Sequence, residues 1–209
     1  MTAASTAMSE SFGGFSRARL EAFSDGVIAV IITIMVLELK APDSPAPAAL
    51  LALWPNLAIY LVSFVFVAIY WINHHALLSG VEHTTSAMIW ANNGLLFFLS
   101  LIPFATAYVG ATDFAPLPTA MYAALHLACG AAFFLLMATI LRGRREDTAF
   151  FKETRAYRRK NLVAVVAYSA SVLIAALSPL ASIAILVAVA LTYVTPGLMV
   201  HRGRRRRSG

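Results

Sequence analysis

Three polar pairs, Ser24–Asp25, His74–His75 and Asn92–Asn93, stand inside otherwise apolar runs of the sequence. Three kinds of chemistry are open to such a set. Carboxylate and imidazole groups can relay protons across a membrane. Histidines can hold a metal or a haem. Hydroxyl, carboxylate, imidazole and amide can also satisfy one another as a hydrogen-bonded clasp between helices. Adjacent histidines on a helix point ~100° apart, so His74 and His75 cannot share one ligand face. No other histidine stands at metal spacing, and no metal or cofactor is expected. The clasp is the expected role, with the proton relay as the alternative. No nucleophile–base pair or glycine-rich phosphate loop supports an enzyme.

The elements that must carry these residues are membrane spans. Of the 209 residues, 60% are hydrophobic and 12% charged, whereas a soluble domain has roughly a quarter charged. A helical span needs ~20 apolar residues. Six candidates run from about 20 to 39, 53 to 79, 84 to 109, 119 to 141, 161 to 178 and 180 to 200, separated by Pro-rich or polar breaks. Residues 1–18 have no apolar core and read as a tail rather than a signal peptide, 19–201 as one transmembrane domain, and 202–209 as a basic tail. Cys129, the single cysteine, reads as a small core residue.

The formal charge of +6 is distributed unevenly. Arg17 and Arg19 precede the first span, a basic tract fills 142–160, and Arg202 with Arg204 to Arg207 form the end of the chain. With six spans these tracts share one side, which the positive-inside rule makes the cytoplasm. Both termini are therefore expected there. The basic loop and tail are expected to contact anionic lipids rather than nucleic acid. On this topology the first three spans place their polar residues in one layer near the cytoplasmic face. Phe23, Trp71, Asn73 and Trp90 join that layer, and Arg19 can reach down to it or pair with Glu21 or Asp25.

On the first span Val30, Thr33, Ile34 and Leu37 fall on one face, with Asp25 roughly 140° around from Val30. The polar layer and this stripe therefore face different neighbours. Pattern alone gives the stripe to ordinary helix packing.

Arg19-x-x-x-Phe23-Ser24-Asp25 resembles the RxxxFSD signature that opens the first helix of the transmembrane protein 175 family of potassium channels. The Trp71-x-x-x-His75 and Trp90-to-Asn93 regions are similar to that family's polar motifs, and the likeness extends over all six spans. The resemblance implies an all-α, six-span homotetramer in the bacterial plasma membrane, with a central pore lined by the first helix and potassium ions as the permeant species. No TVGYG filter stretch is present here. The resemblance further implies that Val30 forms the narrowest ring, that Thr33 bears on potassium selectivity, and that Ile34 and Leu37 form further apolar rings. Three such apolar rings, each of four side chains, would make a constriction that closes by dewetting. A ring of Glu38 at the outer mouth would concentrate cations, while an ion pair with Lys40 is the plainer role.

Overall fold

The computed structural model describes residues 16–142 and 148–194. Their regular structure is α-helical throughout: α1 (Arg17–Leu37), α2 (Pro47–Leu51), α3 (Trp54–Ser79), α4 (Ser86–Ser100), α5 (Ile102–Ala111), α6 (Pro116–Leu141), α7 (Ala149–Ala175) and α8 (Pro179–Val194). Local chemistry sets the starts. Ser16, Thr85 and Thr148 each accept a backbone N–H from the third residue on, at the heads of α1, α4 and α7. Proline stands in the first turn of α2, α3, α5 and α6, where its missing N–H removes no helical bond.

Among the described residues, four segments are long and apolar enough to cross a membrane: Arg17–Leu37, Trp54–Ser79, Ser86–Ala111 and Pro116–Leu141. This is fewer than the six expected. The fifth expected span is part of a longer helix, because residues 149–160, expected as loop, are helical. That tract is rich in Ala, Lys, Glu and Arg, which favour helix. The apolar part of α7 is correspondingly short. The sixth expected span reaches beyond Val194, and its end lies outside the described residues, as do the C-terminal tail and residues 1–15 of the N-terminal one; Arg17 and Ala18, expected in that tail, already belong to α1. The third expected span is broken at Leu101. Pro103 has no N–H to give to Leu99, and α4 ends there before α5 begins. Helix α2 lies in what the sequence presents as an outer loop.

Helix α6 is the hub. It packs on α4, α5, α7 and α8. Tyr122, Cys129, Leu136, Met137 and Ile140 along it are fully buried. A hydroxyl cluster ties three helices together: Ser63 of α3 lies 2.7 Å from both Thr106 of α5 and Tyr122 of α6. Gly110 of α5 allows close approach to α3. A Cβ there would stand 2.8 Å from the Asn56 side-chain oxygen and 3.1 Å from the Asn56 Cα. Because backbone as well as side chain must move, Gly110→Ala is expected to destabilise the protein by ~1–3 kcal/mol. Thermal unfolding in detergent reads this directly; an unchanged midpoint would show that the two helices separate without strain.

Candidate functional site: the first helix and its polar supports

Helix α1 packs on α3, α4 and α5. Its inward face is Leu20, Ser24, Ile28, Ile31 and Met35, at spacings of three and four. The opposite face is left open. Val30, Ile34 and Leu37 are 54%, 42% and 77% exposed, and Thr33 is exposed between them. Exposure of this order on an apolar stripe requires a further apolar or aqueous neighbour. The Thr33 hydroxyl donates to the Val30 carbonyl at 2.8 Å. Its proton is thus committed to the backbone, and the oxygen offers only lone pairs outward. Glu38 is the exposed C-cap of α1. Among the described residues no ion pair joins it to Lys40.

The inward face carries the polar layer. The Asn92 amide of α4 donates to Ser24 Oγ at 3.0 Å, and Ser24 donates onward to the Leu20 carbonyl at 2.8 Å. Asn92 Oδ1 lies 2.6 Å from His74 Nε2 of α3. With the amide oxygen facing it, that nitrogen carries the proton. All three side chains are fully buried, so α1, α3 and α4 are joined by a chain of hydrogen bonds shielded from solvent. The second ring nitrogen of His74, Nδ1, is buried without a partner.

A second set lies nearer the surface. Trp71 Nε1 donates to Asp25 at 3.0 Å. One turn away, His75 Nδ1 lies 2.6 Å from Glu21. Arg17 stands 3.9 Å from the same carboxylate and also donates to the Ser79 carbonyl at the end of α3. Neighbouring histidines point ~100° apart, and here they serve different partners: His74 meets Asn92, and His75 meets Glu21. Asp25 faces α3 through Trp71.

Not every residue expected in the layer is there. Phe23 is 54% exposed and shares the open face with Val30, since seven residues make nearly two turns. Asn73 turns back to donate to the Ile69 carbonyl of its own helix. Trp90 is largely exposed, and Asn93 is half-buried beside Asn92; Arg19, exposed in the first turn of α1, has a partner of its own. Sequence reasoning missed Arg17 and left Glu21 as a minor partner. A signal was available: Glu21 and Asp25 are four apart on α1, and Trp71 and His75 are four apart on α3. Two such pairs on adjacent helices meet side by side. Among the described residues no group of three or more His, Cys, Asp or Glu side chains could hold a metal ion.

Apolar helices of spanning length, a buried polar chain at one end of the first of them and an open apolar stripe along its other face define a polytopic membrane protein. Residues 19–103 match the family model described as endosomal/lysosomal potassium channel TMEM175. A potassium channel of Chryseobacterium sp. (strain P1-3) is 37% identical over 187 residues, covering 90% of this chain and 97% of that one. The crystal structure of a lysosomal potassium-selective channel TMEM175 homolog from Chamaesiphon minutus superposes with a TM-score of 0.78 at 28% identity, covering 86% of this chain and 96% of that one. The human endosomal/lysosomal proton channel TMEM175 is 32% identical over 130 residues, 56% of this chain and 25% of that one. The chain belongs to the TMEM175 family of ion channels, which is not an enzyme family.

Proposed function

We propose that this protein is a potassium-permeable, weakly selective cation leak channel of the bacterial plasma membrane. It works as a homotetramer of six-span subunits with both termini in the cytoplasm. The α1 helices surround the pore, Val30, Ile34 and Leu37 form an apolar constriction, Thr33 lends oxygen lone pairs to a partly dehydrated ion, and Glu38 gathers cations at the outer mouth. The observation that carries this reading is the open stripe on α1, which no helix among the described residues covers. Four copies facing one axis would account for it. A hydroxyl ring replaces only part of an ion's water, so selectivity is modest beside that of a carbonyl cage. No cofactor takes part.

The test is the reversal potential of the purified protein in planar bilayers, with potassium on one side and sodium on the other. A shift toward the potassium equilibrium potential supports the reading. Thr33→Ala is expected to bring that shift most of the way to zero while current persists. An unchanged permeability ratio would remove Thr33 from selectivity.

A second reading follows from the buried, unpartnered Nδ1 of His74 and from relatives named proton channels. The Asp25 and histidine layer would then carry protons. Current that follows the proton gradient and ignores potassium would establish it, and the α1 pore would be withdrawn.

A further inference from the structure

Helix α7 carries two different stripes in one register. Lys152, Arg155 and Arg159 are exposed at spacings of three and four, which puts them on one side of the helix. The same side continues as Leu162, Val163, Val166 and Leu173, all at least half exposed. The change from cation to hydrocarbon falls between Arg159 and Leu162. The opposite side, including Thr154, Asn161, Ala164 and Tyr168, is buried against α6 and α8.

Neighbouring cations are otherwise engaged. The Arg158 guanidinium lies 4.7 Å above the Phe134 ring, and the Lys160 ammonium lies 4.2 Å above the Tyr193 ring. Glu153, the acidic residue of α7, is about 120° around the helix from Arg159. Within α7 the outward stripe therefore presents positive charge with no acid on it.

We propose that the outer face of α7 binds an anionic phospholipid. Its phosphate is held by Arg155 and Arg159 with Lys152 beside them, and its acyl chains lie along Leu162, Val163, Val166 and Leu173. The order of groups along the helix is the order of groups in the lipid. From Leu162 to Leu173 the helix rises about 16 Å, close to half of a hydrocarbon core of ~30 Å. The apolar stripe thus has the depth of one leaflet. A soluble acidic partner would match the three cations but would leave the leucines and valines unused. The inference rests on the channel reading, which puts α1 at the centre. Helix α7 belongs to the other side of the bundle, since its main contacts are with α6 and α8, whereas those of α1 are with α3, α4 and α5.

Retention of phosphatidylglycerol against phosphatidylcholine of the same acyl chains, measured on the purified full chain by native mass spectrometry, tests the site. Phosphatidylglycerol should be preferred. The triple variant Lys152→Gln, Arg155→Gln, Arg159→Gln should lose that preference by on the order of a hundredfold, and Arg155→Gln alone by about fivefold, at roughly equal contributions per cation. If the triple variant fails to fold, the single variant decides. An unchanged preference overturns the site. So does displacement of the lipid by acyl-free glycerophosphoglycerol or inorganic phosphate at matched concentration, which would make the apolar stripe irrelevant. Displacement by a polyglutamate peptide would point to an acidic protein and overturn it too. Reversal potentials on the same samples separate the two readings. Lipid preference without potassium current removes the channel reading alone, and normal current without lipid preference removes the α7 site alone.

Discussion

Val30→Ser is expected to raise macroscopic potassium conductance by about tenfold or more and to move the potassium-against-sodium reversal potential toward zero. Val30 is 54% exposed on a helix whose other face is sealed against its neighbours, so in the proposed tetramer four valines meet at the axis. A pore lined by methyl groups at its narrowest ring excludes water, and an ion passing it must leave water or wait for it to enter. Four hydroxyls at that ring hold water in place. Each ~1.4 kcal/mol removed from the barrier multiplies the flux tenfold, and hydrating one ring of four side chains is enough to reach that scale. The same water keeps the ion hydrated as it reaches Thr33, so the threonine oxygens have less to discriminate. Single-channel recording in planar bilayers gives both quantities. Wild-type conductance in Val30→Ser, with the reversal potential unmoved, would show that the constriction lies elsewhere. Ile34, on the same stripe, would then be the ring to test.

The grouping of the stripe on α1 could be read from the sequence because a helix repeats every 3.6 residues, but both faces of α1 are largely apolar, so pattern alone gave the stripe to helix packing. Val30, Thr33, Ile34 and Leu37 share a face by counting alone. What covers that face is not a property of one chain, and only the family resemblance named it as a pore. The polar layer was legible in outline for the same reason: Asp25, His74 and Asn92 lie at matching depths. Its wiring was not. Counting residues cannot say whether His74 or His75 turns inward, since each is ~100° from the other and the rotation of α3 is fixed by the packing of Ser63, Phe66 and Val67. Phe23 was drawn into the polar layer by its place in the Arg19 to Asp25 motif, although seven residues before Val30 is the open face. The helical stretch from 149 to 160 escaped because charge was taken for loop. Helix propensity in Lys, Glu and Arg is high, and Thr148 caps the start.

The most damaging change to the polar layer is expected to be Asn92→Leu rather than any replacement of Asp25. Asn92 donates to Ser24 and accepts from His74, all three fully buried. A leucine removes both bonds at once. The Nε2 proton of His74 is left in an apolar site, and with Nδ1 already unpartnered the ring has no polar contact on either side. An orphaned buried donor costs about 1–3 kcal/mol, so the loss of both bonds should reach ~2–5 kcal/mol, a large part of a typical domain's stability. Asp25→Ala removes one bond to Trp71 at a half-buried position, and ~1 kcal/mol is expected there. The double variant Asn92→Leu, His74→Leu separates a hydrogen-bonding role from a packing role. Replacing both partners by apolar groups removes the stranded imidazole, so it should be more stable than Asn92→Leu alone. Unfolding midpoints of the four proteins in one detergent give the comparison. If the double variant is instead the sum of the two singles, the amide and imidazole are not coupled. The layer would then hold the three helices by shape, with its hydrogen bonds incidental to the orientation of α1.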